Sequence, residues 1–353
     1  MPLAKTIAIP LLLCCAAVPS VRPQAAEPST ALLNSSRAIA LNSQTGKVYA
    51  VDPKQGAISV FDPQRNFTST VRVGSEPVAI AINEATNRIY VANNASGSVT
   101  VIEGNSDAAL ATVRVGPLPY VLAANPATNK IYVSNTFSDV ITVIDGATNS
   151  TIAVKAGSAD AIAIDAHRDR IYLAGYEDAN LRVLDGRPSV VGKVPAGIHL
   201  WGIAVDEEKG ALYVTRSGDS ELLIVDEVSG AVTAVATGAI PSAVAANRAT
   251  HTIYVVNHGD GTVTAIDGNK HLVIATIKVG ERPQAIALDS KRNRVYVANT
   301  HSDTVTVIDG AQNRVVNTLR CAKGPYALTV NSRTGQLFVA SLAATTLTVL
   351  DPH

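Results

Sequence analysis

NRIYVANNASGSVTVIEG runs from Asn87 to Gly104, and NRVYVANTHSDTVTVIDG runs from Asn293 to Gly310. The two stretches are identical at 12 of 18 positions and start 206 residues apart. A chain that repeats itself this closely is built from one unit, so the unit decides the fold. The copies can be phased on a recurrent turn of the type "VG", at Gly74, Gly116, Gly157, Gly197, Gly238 and Gly280, spaced 40 to 42 residues apart. Periods in this range belong to propellers and solenoids.

Each unit reads as four short strands. The first is VAIAIN at Val78–Asn83 and its copies. The second is RIYVAN, centred on Tyr49, Tyr90, Tyr132, Tyr172, Tyr213, Tyr254, Tyr296 and finally Phe338. The third is SVTVIEG and its copies, with an acid at its end: Asp62, Glu103, Asp145, Asp185, Asp226, Asp267, Asp309 and Asp351. The fourth is ATVRVG and its copies. β-Branched residues alternate with period two, and Asn, Asp, Gly and Thr turns separate the runs. Four antiparallel strands in about 41 residues make the blade of a β-propeller. The Ala-rich first strand suits the crowded axis, and one Tyr per blade can fill the wider gap between neighbouring sheets. A solenoid would need polar capping repeats at its ends, and none is visible.

Eight second strands and eight third strands are present, but only seven fourth strands follow them, because the chain stops at His353. The segment STALLN, Ser29–Asn34, is expected to supply the missing strand and close the ring. The reading is all-β: a propeller of four-stranded antiparallel blades, eight in number, as one domain over residues 29–353. A seven-bladed ring with an irregular terminal unit is the alternative.

The chain opens with the grammar of a secretory signal peptide. Lys5 is its positive charge, Ile7 to Val18 its apolar stretch, and cleavage is expected after Ser20 or near Ala25–Ala26, which removes residues 1–26. The apolar run is shorter than the ~20 residues that span a bilayer. A lipid anchor on Cys14 or Cys15 would want a small preceding residue, but Leu13 or Cys14 stands there. The expected location is periplasmic or extracellular. Only Cys321 survives removal of the segment, so no intramolecular disulfide is available and stability must come from the core. With 29 basic and 29 acidic residues, formal net charge is zero, which weakens nucleic-acid and anionic-membrane readings.

YVAN at Tyr90, YVSN at Tyr132, YVVN at Tyr254 and YVAN at Tyr296, together with VTVIDG and VGxxPxAIA, resemble the YVTN family of β-propeller repeat proteins over residues 30 to 353. The resemblance implies the propeller and a secreted or surface location. It is nearly silent on activity, since related propellers include lactonases, the haem d1 domain of nitrite reductases and a DNA-binding periplasmic member. Fold does not choose among them.

The repeat serves as its own control. Positions equal in every blade are structural, and departures are candidates for function. Asn93, Asn135, Asn257 and Asn299 end the second strand and are expected to close the following turn. Lys47, Arg88, Lys130, Arg170 and Arg294 start that strand, beside the acids of the third, and cross-strand pairing with turn capping accounts for both sets. On the opposite face the copies diverge. The consensus proline at Pro77, Pro119, Pro241, Pro283 and Pro325 becomes Asp160 in the fourth blade and Leu200 in the fifth, flanked by His199 and the sole tryptophan, Trp201. The consensus Asn becomes Gly175 in the fourth blade, followed by Tyr176, Glu177 and Asp178, and Arg216 in the fifth. Glu76 and Arg282 vary elsewhere on this rim, with Arg37, Tyr120 and Tyr326. Aromatic, guanidinium, imidazole and carboxylate groups suit a recognition surface or a small-molecule site, and drift between degenerating repeats is the bland reading.

No catalytic motif is present: no G-x-S-x-G, H-E-x-x-H, C-x-x-C-H, P-loop or dinucleotide turn. The expected role is therefore that of a non-catalytic, monomeric scaffold binding a protein or envelope polymer at the channel mouth, without cofactor. The alternative is a metal-dependent hydrolase, lactonase or lyase acting on a sugar-type substrate. A divalent metal could then sit near Glu76, Asp160, Glu177 and His199, or at His258 and His301. Nucleic-acid binding is a third reading.

Overall fold

The computed structural model describes residues 5–6, 37–187, 189–342 and 347–352. They form eight four-stranded antiparallel sheets and no α-helix. Blade 2 shows the pattern, running from the inside outward as Pro77–Asn83, Arg88–Asn93, Ser98–Glu103 and Ala109–Arg114. Every inner strand touches the inner strand of the next blade, and the inner strand of blade 8, Pro325–Val330, touches that of blade 1, Ile39–Leu41. The ring is therefore closed, with eight blades rather than seven.

In the full-length chain an N-terminal segment completes blade 8, but it is another than expected and lies within residues 1–26, so cleavage of the leader would remove it. The strand beside Leu347–Leu350 is Lys5–Thr6, with Lys5 opposite Val349 and Thr6 opposite Thr348. Ser29–Asn34 lies outside the described residues. The outermost position of a blade demands only an extended backbone to pair with an open edge, so hydrophobic pattern selects its occupant weakly.

The core is the set of gaps between blades. Tyr49, Tyr90, Tyr132, Tyr213, Tyr254, Tyr296 and Phe338 are fully buried, as their regular spacing predicts. The hydroxyl of Tyr49 lies 3.2 Å from the carbonyl of Gly104 and 3.0 Å from Asp107 Oδ1, both in blade 2. Tyr254 reaches Gly310 and Asn313 of blade 7 in the same way. Each tyrosine thus fills one interface with its ring, and these two also bond across theirs with the hydroxyl.

The turns on one face, here the lower face, hold the blades in register. The residue that ends or directly follows an inner strand donates its amide to the residue just before the second strand of the next blade. Asn42 bonds Asn87, Asn83 bonds Asn129, Asn125 bonds Asp169 and Asn247 bonds Asn293, at 2.6 to 2.9 Å. Where the next blade offers glycine at that position, as at Gly210, Gly335 and Gly46, no side chain is there to accept. An arginine in the turn then reaches over instead: Arg168 to the carbonyl of Glu207, Arg292 to that of Ser332, and Arg333 to that of Ser43. At the remaining interface, Arg248 of blade 6 reaches back to Val205 of blade 5. All eight interfaces are clasped on this face.

The expected cross-strand ion pairs are a partial fit. Arg294 meets Asp309 at 2.6 Å, but Lys47 reaches into the next blade to Asp107 at 2.7 Å. The acids ending the third strands chiefly cap their own turns, as Asp145 does for the amides of Ala147 and Thr148.

The clasp explains a glycine. Gly104 donates its N–H to the carbonyl of Asn87, and a Cβ there would collide with Asn87 Oδ1. Gly104→Ala is predicted to cost about 1–3 kcal/mol. Adding Asn87→Gly is predicted to recover part of that loss in a double-mutant cycle, measured by denaturant unfolding. Simple additivity would show that the two residues do not compete for this space.

Candidate functional site

The loops before the inner strands and those after the second strands share the upper face. They are joined by one recurrent bond, in which the residue before the consensus proline accepts an N–H from the other loop. Glu76 accepts from Asn94, Leu118 from Thr136, His199 from Ser217, Ile240 from His258, and Arg282 from Thr300. All five acceptors have φ between 48° and 65°. A non-glycine residue held there costs about 1 kcal/mol or more, and β-branched Ile240 is the least suited of them. In these five blades the loop thus fixes one side chain around the mouth, and that side chain is free to differ. Glu76 and Arg282 occupy this position on blades 2 and 7, away from the divergent blades.

Blades 4 and 5 bring three of the sequence-selected residues together. The Tyr176 ring lies 4.7 Å from the His199 ring, tilted by 48°, and 5.3 Å from the Trp201 ring, edge-on at 82°. His199 donates its backbone N–H to the Tyr176 carbonyl at 2.6 Å. Asp160 Oδ2 accepts the Tyr176 N–H at 2.7 Å and so fixes the loop that carries the ring. The His199 ring sits over Gly218, where a Cβ would meet Nδ1. Tyr176 and Glu177 are exposed, while His199 and Trp201 are partly buried.

The other departures are internal repairs. In ordinary blades the consensus Asn bonds hydroxyls of the third strand, as Asn257 does with Thr262 and Thr264 at 2.9 Å. Blade 4 has Gly175 in place of that Asn and Arg182 in place of the second Thr. The buried Arg182 guanidinium bonds the carbonyls of Ala156 and Ser158 and meets Asp178 at 2.9 Å. In blade 5, Arg216 stands for the Asn and is held by Asp219, at 3.0 Å, and by Glu221. Arg216 is therefore committed within its own blade.

Beside the cluster, Asp160 also faces the channel mouth, where its charge acts on Arg37 and Tyr120. Burial pulls the Arg37 guanidinium down to about 9, against the opposing pull of Tyr120 and Asp160. Its NH1 atom is buried without a hydrogen-bond partner. Burial also lowers His258, and Arg282 and His301 add to that against a hydrogen bond to the Pro283 carbonyl. Among the described residues, the group able to gather on a metal ion is elsewhere, on the lower face: Asp165, His167 and Glu207, with ligand atoms within 4.8 Å of one another. Arg168 already lies 2.7 Å from Asp165 there.

A lower-face residue that the sequence reading passed over is Glu227. It stands where Gly104, Gly146, Gly186, Gly268 and Gly310 end the third-strand motif. A side chain fits in blade 5 because the opposing residue is Gly210 instead of Asn. The signal was in the sequence, as IVDE where other copies read VIDG. The Glu227 side chain is wholly buried, 3.4 Å from Arg168, which also bonds Asp165. Burial, with the Asp165 carboxylate, pushes Glu227 up to about 7 despite Tyr172 and Arg168. Burial pulls Asp165 upward too, but Glu227 and Arg168 outweigh it and hold Asp165 below the ordinary range.

The sequence model of the YNCE-like β-propeller matches residues 75–352, more than half of the chain. The chain belongs to the YNCE-like β-propeller family. A second model, of the seven-bladed β-propeller lactonases, matches residues 24–116. No curated protein sequence matches. Among solved structures, the chain is similar to the dihydro-haem d1 dehydrogenase NirN, solved in complex with DHE. That match has a TM-score of 0.75 and 15% identity, over 91% of this chain and 74% of that one. It is also similar to Kuenenia stuttgartiensis hydrazine synthase, with a TM-score of 0.62 and 15% identity, over 95% of this chain and 99% of that one. Identities this low carry the fold alone. No helix among the described residues is long and apolar enough to cross a membrane.

Glu227 generates a pH prediction. A folded-state value above the unfolded value of 4.5 means that the native state binds the extra proton between the two. Stability from this site is therefore predicted to fall as pH rises from about 4.5 to about 7, and to level off above. Glu227→Gln should remove this component and raise the melting temperature relative to the parent above pH 7. Parallel profiles for the two proteins would contradict the assignment.

Proposed function

We propose that this family member is an exported, non-catalytic binding propeller that recognises a protein or envelope polymer through the upper face of blades 4 and 5. The observation that carries this reading is the Tyr176–His199–Trp201 cluster. It gathers three aromatic rings at the two blades where the repeat departs from its consensus. Tryptophan and tyrosine dominate binding hot spots because they bury large areas at little entropic cost. Arg182 and Arg216 repair the backbone where consensus residues are lost, so the departures keep the scaffold sound while changing what it displays. Drift alone does not call for rings that meet.

A second reading, a metal-dependent hydrolase or lactonase acting on a sugar-type substrate, has one specific support, the lactonase match over residues 24–116. Such chemistry leans on a Lewis acid to polarise a carbonyl or activate water. Metal content of the mature protein, purified without chelators, separates the two. About one divalent ion per chain, lost in His199→Ala, would favour the hydrolase.

Trp201 is the only tryptophan, so its fluorescence reports on this face alone. Envelope material retained by the immobilised wild-type disc is predicted to shift that emission when added back in solution. Tyr176→Ala should reduce its binding by tenfold or more, about 1.4 kcal/mol at least. Unchanged retention by Tyr176→Ala and Trp201→Ala would place the partner surface elsewhere.

A further inference from the structure

The outer strands of five blades reach the upper rim with a cation: Arg72, Arg114, Lys155, Lys278 and Arg320. Each lies opposite the first residue of its neighbouring third strand. The turn that precedes this third strand carries an aspartate in blades 3 to 7, at Asp139, Asp178, Asp219, Asp260 and Asp303. In blade 3 that acid answers the cation directly, with Lys155 3.8 Å from Asp139. Blades 1 and 2 depart from this rule. Their turns, Pro53–Gly56 and Asn94–Gly97, carry no acid. Asp52, just before the first of them, is occupied by Gln55, which bonds it through its backbone N–H at 3.1 Å and its side-chain amide at 2.8 Å.

Arg72 and Arg114, like Arg320 of blade 7, are without a partner among the described residues, but of the five cations only Arg72 and Arg114 have no acid in the adjoining turn. They flank a cleft of about 420 Å³ between blades 1 and 2, and no carboxylate lines it. Between them the lining offers the hydroxyls of Ser75, Ser96, Ser98 and Thr112. Two of these hydroxyls are ordered: Ser96 Oγ and Ser98 Oγ lie 3.0 Å apart, and Asn93 Nδ2 donates to Ser98 Oγ at 3.2 Å. On a chain of zero formal charge, two unanswered guanidinium groups beside hydroxyls make a local feature and not a general positive field.

We propose that this cleft binds a small polyhydroxylated ligand bearing an oxyanion, of the sugar-phosphate class. Paired guanidinium forks match the oxygens of a phosphate group, and hydroxyls complete the shell of the anion and of neighbouring sugar hydroxyls. The volume lies in the range of small-molecule sites. The site is separate from the aromatic cluster on blades 4 and 5 and does not depend on the function proposed for it.

Calorimetric titration of the mature protein at low salt tests this with four probes: inorganic phosphate, glucose 6-phosphate, gluconate and glucose. Glucose 6-phosphate is predicted to bind once per chain, more tightly than inorganic phosphate, and glucose not at all. Gluconate binding as tightly as glucose 6-phosphate would assign the carboxylate source in place of the phosphate and overturn the sugar-phosphate class. Arg72→Gln and Arg114→Gln should each weaken glucose 6-phosphate by about tenfold or more. Lys155→Gln, whose cation is already answered, should change it by less than about twofold. All three side chains are exposed, so the melting temperatures should stay close to that of the parent. Absence of heat with either phosphate up to about 10 mM would overturn the proposal. Equal losses in all three variants would also overturn it, since they would reveal only diffuse surface charge.

Discussion

The ring depends on a clasp beside the lower end of each inner strand, where a side chain of one blade must find a partner in its neighbour. A propeller has no sequence-local way to fix the angle between blades, because neighbouring sheets share side-chain packing and no ladder hydrogen bonds. A directional bond between Asn83 and Asn129 or between Asn247 and Asn293 supplies that angle. A buried amide left unpaired costs about 1–3 kcal/mol, so a wrongly rotated blade is penalised as well as unrewarded. The clasp is kept by two chemistries. Where a glycine removes the acceptor, Arg168, Arg292 or Arg333 crosses the gap to a backbone carbonyl. The geometry persists although the residue types change.

Because the lower face and the tyrosine-filled gaps hold the ring, the upper face is free to vary. Its loops still obey one rule, the bond that holds Glu76, Leu118, His199, Ile240 and Arg282 at positive φ. That rule constrains the backbone and leaves the side chain open. Blades 4 and 5 use the freedom for aromatic rings and repair the lost Asn–Thr bonds with Arg182 and Arg216. Blades 1 and 2 use it by leaving two arginines unanswered. Blade 5 extends the same logic to the lower face, where Gly210 and Glu227 exchange the roles that Asn and Gly hold in other copies. The result is a buried acid on Arg168.

The architecture was legible because it is written many times. The tyrosines at equal intervals, the alternating β-branched runs and the count of second strands led directly to eight blades. The closing strand was not legible, because one extended segment pairs with an open edge much like another, and Lys5–Thr6 lies in the stretch read as a leader. Of the site, Tyr176, His199 and Trp201 were found as departures from consensus and do meet. Arg216 was found by the same rule but is held by Asp219 and Glu221, since a departure can be a repair. Glu227 and Arg182 were overlooked because each needs its compensating partner, Gly210 or Gly175, to be read in the same glance. Such paired changes lie within one blade, 7 and 17 residues apart, and become visible only when the copies are aligned.

The most direct test of the upper face of blades 4 and 5 as a recognition surface is site-specific photocrosslinking in the native envelope. A photoreactive side chain would replace Tyr176 in one protein and Asn269, in a lower-face turn of blade 6, in another. A discrete adduct from position 176, lost when Trp201→Ala is added and absent from position 269, is the predicted result. No adduct at position 176, or equal adducts at both positions, would contradict it.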